Sequence, residues 1–357
     1  MDFRRPELRR EVFLRFYDWS VRHQSFPGGV HYVLPYLAQA LELDVEQRYW
    51  LAWLNANTQN PVTSLLLLQA APRLRDHERA IELWRNSYSL LDWDTDRRYH
   101  KARFEDAVRA YVSLVDCTCV QPQHRYFRTG GFEWQTWWDA AFRLPTMGRL
   151  STWSYLEYLR ILLGPSVVPD ADTLMIEDIP GSRSHRNGLA LLLGQEDYLV
   201  VDKQLGKPGL TDAVYTRDTL ESLGEEAHRL FEEAQQRTGP GADRLSLESA
   251  LCTYKGWHKL NRRYPGVYND MLYNRIVTAE NRWGRRFGVL WESRVAALPQ
   301  HLRLETSPYD PGLSPVKQNW YLTTGQVINM SEDACFRNDF EKAVAAQEFG
   351  RRPRPWI

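Results

Sequence analysis

Two polar, helix-breaking segments about ninety residues apart constrain this chain most: Asn55-Ala56-Asn57-Thr58-Gln59-Asn60-Pro61 and Leu144-Pro145-Thr146-Met147-Gly148-Arg149. The first separates Trp50, Leu51 and Leu54 from the run Val62 to Ala70, and Asn60-Pro61 is a good N-cap and first-turn pair for that second helix. Upstream, Asp44 and Gln47 have the spacing of a capping box. The second segment joins Trp134, Trp137, Trp138, Ala141 and Phe142 to Trp153, Leu156, Leu159, Leu162 and Leu163, both at helical spacing. Pro145 stops the first of these helices, Gly148 is read as the residue that takes a positive φ, and the amides of Gly148 to Leu150 then point outward at the start of the next. Free amides at a positive helix end suit a phosphate. A plain helical hairpin explains the same residues, so this motif alone decides little.

Helical periodicity continues through His77 to Leu91, Ala102 to Val115 and Leu220 to Arg237, the last with Ala227, Leu230, Phe231 and Ala234 on one face. Alternating strand patterns are scarce, which predicts an all-α fold. Turn clusters at Gly206-Lys207-Pro208-Gly209 and Thr238-Gly239-Pro240-Gly241 bracket a helical segment and place a division near residue 205. The expected domains are a helical core, 1–205, with its hairpin at 144–149, then a C-terminal helical region, 206–298. Prolines at 299, 308, 311 and 315 turn the remainder, 299–357, into an extended arm and tail.

Lysine plus arginine equals aspartate plus glutamate at 45 each, so any grip on nucleic acid comes from a local patch. The four cysteines, Cys117, Cys119, Cys252 and Cys335, show neither a disulfide framework nor Cys-x-x-Cys metal spacing, which predicts a reducing compartment and no structural zinc. Met1 to Arg10 is charged and no run approaches the ~20 apolar residues of a membrane span. No Gly-x-x-x-x-Gly-Lys or strand-borne Gly-x-Gly-x-x-Gly string is present, and no cofactor is expected.

The order of the parts carries a resemblance. Leu144 to Arg149 resembles the hairpin of the helix-hairpin-helix DNA glycosylases, a Leu-Pro-Gly-Val-Gly-Arg type of string in which Thr146 here replaces the first glycine. Asn57-Thr58-Gln59-Asn60 stands where that superfamily ends an upstream helix in a Ser-x-Gln-Thr-like string, and Asp178 fits the aspartate it places after the hairpin, with Asp170 and Asp172 as competitors. The strings around Asn55 to Thr63, Gly148 to Leu159, Ser182 to Leu189 and Tyr254 to Asp270 are similar to a bacteriophage family on that scaffold, the amino acid:DNA transferases or α-glutamyl/putrescinyl thymine pyrophosphorylase-like proteins. The likeness runs from about Phe13 to Ile276. It implies two helical lobes with a cleft between them, in the host cytoplasm. It also implies a reaction in which the amine of an amino acid, glycine first, or of a polyamine displaces pyrophosphate from pyrophosphorylated 5-hydroxymethyluracil in double-stranded DNA.

That chemistry needs an extruded base, a cationic cradle and a proton acceptor. A uracil-type ring offers two carbonyl acceptors and one N–H donor, which the amides of Asn57, Gln59 and Asn60 can match, although capping and turn formation also explain Asn60 and Asn57. For the leaving group or the DNA backbone, cations gather at Arg183, His185 and Arg186 and at Lys255, His258, Arg262 and Arg263, besides Gly148 and Arg149 of the hairpin. Solvated charge is the bland reading of such runs. Asp178 is the first candidate acceptor, because the resembled scaffold turns its aspartate toward the flipped nucleotide. Glu248 is the second: Glu248, Cys252 and Lys255 fall at i, i+4 and i+7 on one helix face.

Two other functions compete. A DNA glycosylase uses the same scaffold, though the lysine of its lyase-type members is absent where Leu150 follows Arg149. A non-catalytic DNA-binding or assembly protein is the third reading.

Overall fold

Asp44 closes its capping box with Gln47, each side chain 3.0 Å from the other's backbone N–H, and so starts the helix that organises much of the molecule. In a computed structural model that describes residues 6–22, 31–94, 97–115, 117–177, 183–195, 216–254 and 267–297, the regular elements are helices, and no strand occurs among the described residues. In chain order they begin with α1 (Pro6–Arg22), α2 (Leu34–Ala40), α3 (Val45–Thr58), α4 (Pro61–Ala70) and α5 (His77–Asn86). Next come α6 (Arg98–Ala102), α7 (Phe104–Val115), α8 (Pro122–Arg128), α9 (Trp134–Phe142) and α10 (Arg149–Leu163). The series ends with α11 (Arg183–Leu192), α12 (Arg217–Thr238), α13 (Arg244–Tyr254), α14 (Val267–Trp283) and α15 (Gly288–Ala296). Among the described residues no helix is long and apolar enough to cross a membrane.

The chain divides into two units, neither of them one continuous stretch. One contains Val30–Asp170 and Leu272–Ala297. Its axis is α3, buried from Tyr49 to Thr58 and packed on α10, α4 and α8. Trp50 stacks on Trp53 and Trp53 on Tyr111, while Phe127 stacks on Trp137, so stacked aromatic rings make up much of this core. Phe142, which ends the apolar series of its helix, is 49% exposed and stacks on Trp138.

The other unit contains Met1–Gly29, Ala171–Met271 and Leu298–Ile357. Its described core sets Phe13, Tyr17, Leu189, Leu192, Leu230, Phe231, Leu247 and Leu251 together, from α1, α11, α12 and α13. Burying a side chain of this size contributes roughly 1.5–3 kcal/mol. The boundary expected near residue 205 and the arm from 299 onward lie outside the described residues.

Candidate functional site

At the end of α3 the chain breaks as the Asn/Gln string predicts. Gln59 takes the left-handed conformation, φ 48°, as the C-cap. Asn60 accepts from Val62 N–H at 3.0 Å and Thr63 N–H at 3.3 Å as N-cap of α4, with Pro61 in its first turn. Behind the break runs a buried polar chain. Thr58 Oγ1 lies 2.8 Å from Ser64 Oγ, which donates to Asn55 Oδ1 at 3.2 Å, and Asn55 Nδ2 donates to His31 Nδ1 at 2.8 Å. Each link meets a group that would otherwise be desolvated without a partner, at a penalty of about 1–3 kcal/mol.

The hairpin is fastened to this break through Asn57. Thr146 Oγ1 donates to Asn57 Oδ1 at 2.9 Å, His100 Nδ1 lies 3.2 Å from the same oxygen, and Asn57 Nδ2 donates to Trp53 O at 3.0 Å. Because Oδ1 accepts, His100 carries its proton on Nδ1, whereas His31, accepting from Asn55, carries its own on Nε2. The expectation that Gly148 supplies the positive φ is corrected: Gly148 has φ −84° as N-cap of α10, and the left-handed residue is Thr146, φ 66°. A β-branched residue there costs about 1–2 kcal/mol, largely offset by the bond to Asn57. The glycine of the resembled string thus stands where the backbone turns left-handed.

The two segments singled out in the sequence are therefore joined. Asn57 is 1% exposed with its amide engaged, and Asn60 is 3% exposed and serves as a cap. Gln59 is half-buried, and its side-chain amide makes no hydrogen bond among the described residues. Gly148 is exposed, a Cβ there would meet nothing within 4 Å, and the half-buried Arg149 holds its guanidinium 5.4 Å from the centre of the Trp153 ring.

Charged groups that sequence reasoning missed gather at the junction. Arg97, 1% exposed, donates to Ala56 O at 2.8 Å and to Leu150 O and Ser154 Oγ at 3.3 Å, tying α3 to α10. Asp94 donates its amide to Thr58 O at 2.9 Å and pairs with Arg275. Burial pushes the Asp94 carboxyl up to about 6 against the opposing pull of Arg275. Burial, with Arg97 and Arg103 nearby, pushes His100 down to about 4, and burial with Arg275 and Arg97 also depresses His31. Both rings are held neutral. Glu157, 7% exposed, accepts from Tyr32 OH at 3.0 Å. These residues are single polar positions in amphipathic stretches, and only the Asp-rich string Asp92-Trp93-Asp94 carries any signal in the sequence.

The other unit holds the remaining described candidates. Helices α11 and α13 touch backbone to side at Gly188, where a Cβ would come within 2.1 Å of Leu251 O. This approach sets His185 against Glu248, Nδ1 to Oε1 2.8 Å, with His185 1% and Glu248 4% exposed. His185 Nε2 lies 2.8 Å from Leu174 O. Arg186, fully buried, donates to Ile176 O at 3.1 Å. Cys252 lies with His185 and Glu248, the ligand atoms of all three within 4.8 Å of one another. Arg183 begins α11, and nothing is described of its side chain. Asp178, Lys255, His258, Arg262 and Arg263 lie outside the described residues, whereas the competitors Asp170 and Asp172 lie within them.

The family model for amino acid:DNA transferases matches residues 28–264, and the chain belongs to that family; it is a transferase that modifies DNA with an amino acid. Among curated proteins the chain is similar to a serinyltransferase of Salmonella phage ViI, 25% identical over 348 residues, covering 92% of this chain and 84% of that protein. No solved structure matches it.

Proposed function

We propose that this is a phage-encoded transferase acting on double-stranded DNA whose thymine methyl position has been activated as pyrophosphorylated 5-hydroxymethyluracil. The observation that carries this reading is the family match over residues 28–264. The amine of a free amino acid attacks the methylene carbon. Its lone pair forms the C–N bond, the C–O bond breaks, and the electron pair leaves with pyrophosphate. The surplus proton on nitrogen passes to a carboxylate, Asp178 first and Glu248 second. Glycine is the first donor to try, serine the obvious competitor given the named relative, and a polyamine the third.

Gln59 reads the extruded ring, since its amide donates and accepts and is not committed elsewhere among the described residues, while Asn57 and Asn60 keep the junction in shape. The open turn at Gly148, the start of α10 and Arg149 take a DNA phosphate. Arg183, Lys255, His258, Arg262 and Arg263 supply the positive cradle for pyrophosphate. The helix-hairpin-helix glycosylase-like scaffold is part of this proposal, and the fastened hairpin of α9 and α10 supports it.

Incubating the protein with pyrophosphorylated hydroxymethyluracil DNA and labelled glycine, serine or putrescine tests the reading. Label in DNA with matching pyrophosphate release is the expected outcome. Free pyrimidine and abasic sites would point to glycosylase action instead, and no label with any amine would remove the proposal.

A further inference from the structure

The contact of α11 with α13 has a chemistry that transfer to DNA does not by itself explain. Glu248 and Cys252 stand one helical turn apart on α13, and His185 of α11 meets them, one nitrogen, one carboxylate oxygen and one sulfur within 4.8 Å of one another. We propose that His185, Glu248 and Cys252 bind a zinc-class divalent cation.

Leu174 O can only accept, so His185 Nε2 carries a proton and Nδ1 faces Glu248 Oε1 at 2.8 Å. Two electron-rich atoms at that distance need a proton or a metal cation between them. A histidine whose far N–H is fixed by a backbone carbonyl is oriented as metal-ligating histidines are. The third donor favours a metal over a bare proton, since a thiol adds nothing to a hydrogen-bonded imidazole–carboxylate pair, whereas a thiolate completes a mixed N, O and S set suited to zinc. Bond lengths of about 2.0–2.3 Å put tetrahedral donors roughly 3.3–3.8 Å apart, so Nδ1 and Oε1, 2.8 Å apart here, must part by about 0.5 Å to take the ion, while all three donors already lie within 4.8 Å of one another. Three protein donors leave a fourth position for water or an anionic oxygen. Cys252 is only half-buried, which gives the ion a way in. The bare Gly188–Leu251 contact holds the two helices at the required separation. As a ligand, Glu248 leaves Asp178 as the proton acceptor.

The site is tested on the full chain, independently of activity. Protein purified without chelators is expected to carry about one zinc per chain, and chelator-stripped protein to take up cobalt(II) with a near-ultraviolet thiolate charge-transfer band. Cys252→Ser should abolish that band, and Glu248→Gln and His185→Asn should weaken zinc binding at least about tenfold. Cys117→Ser should change neither readout. A stripped wild-type protein that folds by circular dichroism yet binds neither ion, or a band that survives Cys252→Ser, overturns the site and leaves a hydrogen-bonded His–Glu pair only. Label transfer by protein shown to bind no metal would sink this inference and leave the proposed reaction standing; cobalt binding with no transfer to DNA would do the reverse.

Discussion

The junction of α3, α4 and the hairpin and the contact of α11 with α13 solve different problems. At the junction the innermost groups are amides, hydroxyls and two neutral imidazoles, and Arg97 and the Asp94–Arg275 pair brace them. At the α11–α13 contact, an imidazole, a carboxylate and a thiol converge beside a helix crossing with no side chain between the backbones. The first arrangement fixes a shape, because neutral hydrogen bonds gain little from rearranging and lose much when broken. The second concentrates groups whose charge depends on what sits among them.

The largest expected effect separates the two glycines. Gly188→Ala drives a Cβ into the Leu251 carbonyl, which is backbone and cannot swing away, so a loss of about 3 kcal/mol or more is expected and the variant should melt earlier or accumulate insoluble. Gly148→Ala has open space and an ordinary φ, so it should lose no more than about 1 kcal/mol, the preference of an N-cap for glycine over alanine. Differential scanning calorimetry of the two variants decides it. Equal losses would mean that the close approach of α11 to α13 is wrong.

Asn57→Leu should come next, at roughly 2–3 kcal/mol, because it strands the buried His100 Nδ1 and unfastens the half-buried Thr146 Oγ1. Urea denaturation measures it. A change below about 0.5 kcal/mol would show that the hairpin does not depend on this fastening.

The pH dependence of the junction has two opposed contributions. Asp94 has a folded value of about 6, above its ordinary 3.8, so the folded state holds the extra proton and this group's contribution falls as pH rises from about 4 to 6. His100 is depressed to about 4 from 6.5, so the unfolded state holds the extra proton and its contribution falls as pH drops from about 6.5 to 4. Asp94→Asn should therefore steepen the loss of stability on acidification, and His100→Gln should flatten it. Melting temperatures of the parent and both variants at pH 4.5 and 7 give the signs, and changes in slope of the same sign for the two variants would refute the assignment.

Much of this was legible in the sequence because local rules govern it. The capping box at Asp44, the Asn60-Pro61 start and the two halves of the hairpin follow from spacing and side-chain chemistry. The left-handed residue was placed at Gly148 because glycine tolerates that conformation, yet the backbone demands it two residues earlier, where Thr146 is held by an oxygen 89 positions away. No local rule reports such a bond. The same limit hid His31, Arg97, His100 and Arg275, each a lone polar residue until the helices meet. The cluster at Arg183 to Arg186 suggested a phosphate clamp, but Arg186 is buried against Ile176 O, a use of charge that depends on the packing of α11. Glu248 and Cys252 could be placed on one helix face; their meeting with His185 depended on which helix lies opposite.

The smallest change, Gln59→Gly, asks whether the junction is only a shape. Gln59 has φ 48°, and glycine takes that conformation without the Cβ clash that makes it unfavourable, so the variant should gain about 1 kcal/mol in urea denaturation. The loss of chain entropy that comes with glycine trims the gain but does not reverse it. The same substitution deletes a side-chain amide that bonds to nothing else in the described protein. If that amide reads the extruded ring, transfer should fall about tenfold or more while stability holds or rises, since losing a hydrogen bond to a buried substrate group is worth roughly 1.5 kcal/mol. Gln59→Asn, which keeps an amide and tolerates the left-handed region, should recover part of the activity. Full activity in Gln59→Gly would reduce this residue to a helix stop and move base reading elsewhere, leaving the α3–α4 break as scaffold alone.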